Sequence, residues 1–260
     1  MTRHPNALPR LLRGTRMLLL KLALLPTLAV GAPDVATLLK AADAFRTGSA
    51  SANLQIETQV TTFNRDGSID KERRYTVFSQ SGHRSLVLMR SAAEAGQKVL
   101  MLGDDFWLLL PGSARPLRIT PMQKLLGDAS TGDIATLSWA DDYSGSLIGE
   151  AACERAEPCL HLSLQAARKG LSYQRIELWL GRSRFEPVAA DLYVQSDKLA
   201  KRARFVLDKA SAPTTVVEMV LADQLSSHKE TRVRYGARSA RQLDANWLNP
   251  MFLARSPVLE

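Results

Sequence analysis

Cysteine and histidine are scarce in this sequence: two cysteines and four histidines in 260 residues. With so few, most metal-site signatures are excluded, because a structural zinc site alone takes four such ligands at close spacing. Past residue 32 only His83, His161 and His228 remain, none of them paired at metal-ligand spacing. There is no G-x-S-x-G elbow and no glycine pattern that would cradle a phosphate. The two Asp-Asp pairs, Asp104-Asp105 and Asp141-Asp142, read as turn residues, since neighbouring side chains on a strand point apart. No catalytic residue, metal or cofactor is expected, and the chain reads as a binding protein and not an enzyme.

Also missing, beyond the N-terminus, is any apolar run of the ~20 residues that a spanning helix needs. At the N-terminus itself Arg3, Arg10, Arg13 and Arg16 precede "MLLLKLALLPTLAVGA", which closes on small residues. That order predicts a secretory signal peptide over 1–32, cleaved after Ala32, with translation starting at Met1 or Met17. A retained membrane anchor is the alternative, although Leu22 to Ala32 is short for one. Those 32 residues hold five of the 34 basic groups and none of the 26 acidic ones, so the rest of the chain carries a net charge near +3. This is an ordinary surface and makes no case for nucleic-acid binding.

Cys153 and Cys159 flank a charged, Pro-containing loop, "CERAEPC". In an exported protein this spacing suits a disulfide stapling a hairpin end. A two-cysteine metal site is the rival.

The remainder, 33–260, reads as one domain with no linker or repeat. "PDVATLLKAADAFRTGS" carries a helical stripe of Val35, Leu38, Leu39, Ala42 and Phe45 and stops at Gly48. Extended segments follow: "ANLQIETQVTTF", "RRYTVFSQ", "RSLVLMRS", "KVLML", "FWLLL" and "PLRIT". After 121–143, which reads as a helical lid or plug, come "GSLIGEAA", "CLHLSLQA", "SYQRIELWL", "PVAADLYVQSD", "KRARFVLDK", "TTVVEMVLAD" and "KETRVRYGA". Crossover helices are absent, so the sheet is expected to be antiparallel. Arg232, Arg234 and Arg238, alternating with Val233 and Tyr235, form the wet face of a late strand; docking to an anionic lipid or acidic partner is the alternative.

The early strands pose a problem. In "VLMLGDDFWLLLP", Val99 and Met101 would line one face and Leu100 and Leu102 the other, with Gly103-Asp104-Asp105 as the turn. Phe106, Leu108 and Leu110 oppose Trp107 and Leu109 in the same way. A sheet with one wet face alternates apolar with polar residues, so both faces of this hairpin need an apolar cover. A second layer, a curled continuation of the sheet or an apolar ligand would each supply it. Trp107, on the hairpin, and Trp139, in the lid, are the tryptophans expected to frame a cavity mouth.

Trp107-Leu108-Leu109-Leu110-Pro111, then Arg118-Ile119, Gly127-Asp128, Gly132-Asp133-Ile134 and Asp142-Tyr143, resemble the outer-membrane lipoprotein-sorting family of LolA-type periplasmic carriers. The late stretch "SYQRIELWLGRSRFEPVAADLYVQSDKLAKRARF" is similar to the strand–turn–strand pair of that family. The resemblance implies an α+β fold: a strongly curved antiparallel sheet, a half-open β-barrel of about eleven strands, with helices plugging its concave face. It also implies a periplasmic, monomeric carrier of lipoprotein acyl chains or lipid, supplied by an inner-membrane transporter. The alternative is an accessory or sensor protein of the envelope that contacts a membrane partner. The expected cavity residues are Leu86, Leu88, Val99, Met101, Phe106, Trp107, Leu109, Leu126 and Trp139.

Overall fold

The computed structural model describes residues 34–48, 53–120, 133, 138–224 and 230–255. The first element, α1 (Val35–Thr47), starts where the Asp34 carboxylate accepts the Thr37 N–H at 2.8 Å. It ends at Gly48, whose φ of 66° is left-handed; a Cβ there would also collide with Thr215 and Arg238, so glycine is required twice over. Leu38, Leu39 and Ala42 form its buried stripe, and Arg46, four residues beyond Ala42, continues it.

Thirteen strands among the described residues make one antiparallel sheet. They are β1 (Leu54–Phe63), β2 (Ile69–Gln80), β3 (Arg84–Met89), β4 (Lys98–Leu102), β5 (Asp105–Leu109), β6 (Leu117–Ile119), β7 (Tyr143–Ala151), β8 (Cys159–Ala166), β9 (Arg175–Leu180), β10 (Pro187–Tyr193), β11 (Leu199–Leu207), β12 (Val216–Asp223) and β13 (Glu230–Ala240). Their order is β6-β5-β4-β3-β2-β1-β13-β12-β11-β10-β9-β8-β7, so β6 and β7 are the two edges and the sheet does not close through a ladder. The expected count of about eleven is too low. Every extended segment of the sequence finds a hydrogen-bonded neighbour, down to the three-residue β6 beside β5.

Strand phase decides what lies inside. One face of the sheet gathers Ile56, Val60, Val77, Val87, Val99, Met101 and Phe106 from the first strands. The same cluster takes in Leu162, Leu164, Ile176, Leu178 and Met219 from the last ones, together with Leu38 and Leu39 of α1. This is the inner face, and it curls around α1. Among the described residues α1 is the helix that lies against it. The lid expected over 121–143 lies outside the described residues except for Asp133 and 138–143. Of the latter, Trp139–Asp142 form a turn and Tyr143 already opens β7.

The outer face is treated differently in the two halves. On β8–β13 it is wet: Glu177 accepts from Ser163 at 2.9 Å and Arg175 at 2.7 Å, Arg234 donates to Glu218 at 3.1 Å, and Arg232 is exposed. On β2–β5 it is apolar, and the chain covers it with its own C-terminal segment. Leu243, Leu248 and Leu253 pack on Phe78, Leu86, Leu88, Leu100 and Leu109. The segment is made of two short 3₁₀ turns, Ala245–Leu248 and Pro250–Phe252, opened by the side chains of Asp244 and Asn249. Lys98 Nζ donates to the Leu253 carbonyl at 3.2 Å and Gln80 Nε2 to that of Leu243 at 3.3 Å. The hairpin whose strands are greasy on both faces is thus a middle layer, with the curled core on one side and this strap on the other.

Cys153 and Cys159 are joined by a disulfide across the β7–β8 hairpin end. A loop this short constrains the unfolded chain by ~2 kcal/mol. Replacing both cysteines by alanine should lower the unfolding free energy by about that much. Denaturant melts of the two forms check it, and an unchanged midpoint would count against it.

Candidate functional site

The expected cavity residues do not line one hollow. Val99, Met101 and Phe106 are on the inner face of β4 and β5, and Trp139 is also inside. Leu86, Leu88, Trp107 and Leu109 point the other way and lie beneath the strap. The period-2 alternation of a strand forces this split: residues 99, 101 and 106 share a phase, and 86, 88, 107 and 109 share the opposite one. Leu126 lies outside the described residues. Trp107 is therefore an anchor of the strap layer and does not frame a cavity mouth.

A cavity of about 50 Å³ does open on the inner face, displaced toward the second half of the sheet. Ile176 of β9, Leu192 of β10, Ala203 and Phe205 of β11, and Met219 of β12 form its apolar wall. Trp139 covers it, packed edge-on against Phe205 with ring centres 5.6 Å apart. The Arg46 guanidinium lies 3.9 Å from the centre of the indole ring and pairs with Asp43 at 3.1 Å. Asp43 fixes the turn that carries Trp139, accepting from the Trp139 and Ala140 N–H groups, both at 2.9 Å. Burial pushes the Asp43 carboxyl above its ordinary range, although Arg46 and those N–H groups pull it down.

The polar end of the cavity holds a buried ion pair. Lys201 Nζ meets Asp133 Oδ2 at 2.5 Å, and the Tyr173 hydroxyl donates to Asp133 Oδ1 at 2.6 Å. Tyr143 donates to the Tyr173 carbonyl at 3.1 Å, and burial raises its phenol well above the usual value. The wall is thus apolar with satisfied polar groups at one end, as ligand pockets are, but the space is far below the 300–1,000 Å³ that a drug-sized ligand needs. An acyl chain would enter only by displacing side chains.

A profile of a family described as an uncharacterized protein matches residues 81–255. The fold matches that of the LolA superfamily protein NE2245 from Nitrosomonas europaea, with a TM-score of 0.74 and 27% identity over 84% of this chain and 98% of that one. The chain belongs to the LolA-like family. A DUF1329 family protein from Desulfovibrio piger shares the LolA-like fold at a TM-score of 0.65 and 21% identity, over 84% of this chain and 98% of that one. So does a domain named for outer membrane lipoprotein sorting from Vibrio parahaemolyticus, at 0.65 and 16%, over 85% and 98%. No curated protein sequence matches.

Sequence reasoning missed most of the pocket of this LolA-like chain, though two signals were present. In "LAKRARF" Lys201 shares its phase with Ala203 and Phe205, so the lysine belongs to the apolar side and requires a buried carboxylate. Arg46 follows Ala42 by four residues, on the apolar stripe of α1. Asp133 shows no such periodicity: the sequence marks it only within Gly132-Asp133-Ile134, and its partners Lys201 and Tyr173, from distant parts of the chain, give it its role.

Proposed function

We propose that this chain is an exported periplasmic carrier. It holds the acyl chain of a lipoprotein or lipid against the inner face of its curved sheet and moves it toward the outer membrane. The observation that carries the reading is the apolar cavity between α1, Trp139 and strands β9–β12, in a sheet whose two edges are not hydrogen-bonded to each other. The likeness to LolA superfamily and lipoprotein-sorting structures supports it. In this reading residues 1–32 are the export signal, an inner-membrane transporter hands over the cargo, the carrier works as a monomer and no catalytic step is involved. Among the described residues no helix is long and apolar enough to cross a membrane. Burying the tail supplies ~0.8 kcal/mol per CH₂, so a chain of ordinary length can displace the side chains that fill the hollow.

Native mass spectrometry of the protein purified from the periplasm is expected to show lipid-sized adducts, and the purified protein to bind a dansylated fatty acid. Absence of both would overturn the proposal.

One observation favours a second reading, in which the same fold senses or contacts an envelope partner: the cavity of about 50 Å³ is small for a carrier. A stable protein partner recovered from the envelope, with no lipid on the purified chain, would select it.

A further inference from the structure

Two flanks of the sheet that are remote in its strand order meet at one place. The β4–β5 turn carries Asp104 and the β2–β3 turn carries His83; Arg168 sits after β8, and Asp142 immediately precedes β7. In the order of the sheet, β4 and β8 are nine steps apart. Followed through the register, the β4–β5 turn and the β8–β9 loop leave the sheet from opposite strand ends. Strand-to-strand twist of roughly 20–25° per step accumulates to about half a turn over that span, which brings those opposite ends together.

The junction is built from a branched ion pair. Arg168 Nη1 binds Asp104 of the first flank, while its Nε donates to Asp142 of the second at 2.7 Å. His83 Nδ1 lies 3.1 Å from the same Asp142 oxygen, and the His83 carbonyl accepts the Gly103 N–H at 2.9 Å. Asp142 is buried, with its side chain 1% exposed, so these charges act in a partly desolvated setting. A second, independent feature marks the contact as tight. Gly170 has a left-handed φ of 83°, and a Cβ there would lie 2.8 Å from the Asp104 Cβ and 3.0 Å from its carbonyl oxygen. The β8–β9 loop therefore rests directly on the β4–β5 turn.

We infer that Arg168 is a clasp: it ties the two flanks of the curled sheet, and its release sets how fast an apolar chain reaches the inner face. The gating half of this inference rests on the carrier reading, whereas the clasp itself does not. A space of about 50 Å³ must widen to admit an acyl chain, parting of the flanks would widen it, and this junction spans them where no strand ladder does. Arg168→Met keeps the aliphatic stem and removes both charged hydrogen bonds.

The test uses the full mature chain with nitroxide labels on the two edge strands, at Leu117→Cys and Ser146→Cys, with the natural disulfide intact. Double electron–electron resonance is expected to give a narrow distance distribution for the parent and a longer, broader one for Arg168→Met. Asp104→Asn, on an exposed turn, gives an intermediate result and decides the matter if Arg168→Met does not fold. Stopped-flow uptake of a dansylated fatty acid should quicken on the order of tenfold in Arg168→Met, the factor expected from losing the one charged hydrogen bond, to Asp104, that crosses between the flanks. Unchanged distances overturn the clasp. Longer distances with unchanged uptake overturn its gating role. A parent that takes up no fatty acid overturns the carrier reading and, with it, gating, while the distances still decide the clasp.

Discussion

A chain ending at Ala240 will not accumulate as a soluble folded monomer. The truncation removes Leu243, Leu248 and Leu253 and uncovers Phe78, Leu86, Leu88, Leu100 and Leu109 on the outer face of β2–β5. Burying one leucine contributes ~1.5–3 kcal/mol, so the three strap leucines together approach the ~5–15 kcal/mol that holds a whole domain folded. The uncovered face is also a contiguous apolar patch, which self-associates in water. Single substitutions grade the effect. Leu253→Ala, at a site 0% exposed, should cost about 2–5 kcal/mol and lower the melting temperature by roughly 5–15 °C. Met251→Ser, at a residue 83% exposed in the same strap, should change stability by no more than about 0.5 kcal/mol. Thermal melts and binding of an apolar dye check these expectations. A truncated chain that melts like the parent would show that the strap is dispensable and reopen what covers the second face.

That face was legible in the sequence as a question and not as an answer. Period-2 alternation in "VLML" and "FWLLL" already says that both sides are apolar, and the structure agrees for Val99–Leu102 and Phe106–Leu109, whereas Leu110 lies past the end of β5 and is exposed. The cover was illegible because "LDANWLNPMFL" has neither a 3.6 nor a 2.0 period: it forms two 3₁₀ turns set by the Asp244 and Asn249 caps. Its polar ties also run over 155 and 163 residues of sequence, to Lys98 and Gln80. Local patterns were reliable where local chemistry decides. The helix from Val35, the Gly48 stop, the strand segments and the Cys153–Cys159 staple all stand as read. The pocket failed as a single list because residues of opposite strand phase were gathered into one hollow, and because the cavity takes its apolar wall from β9–β12 and not from the hairpin. Arg168 and Asp104 were equally hidden, since only the accumulated twist of the sheet makes them neighbours.

Replacing Asp133 by Asn will destabilise the chain more than any conservative change on its surface. Lys201 and Asp133 are each 3% exposed at the side chain and meet at 2.5 Å. Taking both charges out of water is costly, and their mutual attraction offsets that cost only while both are present. Removing the carboxylate charge leaves the Lys201 ammonium buried beside Ala203 and Phe205, at a cost of about 3–5 kcal/mol and a drop in melting temperature of roughly 10 °C. Replacing both, Asp133→Leu with Lys201→Met, removes the two desolvation costs together. The double variant should therefore recover most of the loss, and the double-mutant cycle should report strong coupling. A loss below about 1 kcal/mol in Asp133→Asn would mean that water reaches the pair and that this end of the cavity is open. The same cycle bears on cargo. With the pair replaced, the inner wall from Ile176 to Met219 becomes apolar at its polar end as well, and a dansylated fatty acid should then bind more tightly than to the parent. If binding weakens while stability is restored, the pair contacts the cargo itself, and the polar end of the cavity is where the acyl chain's head group is held.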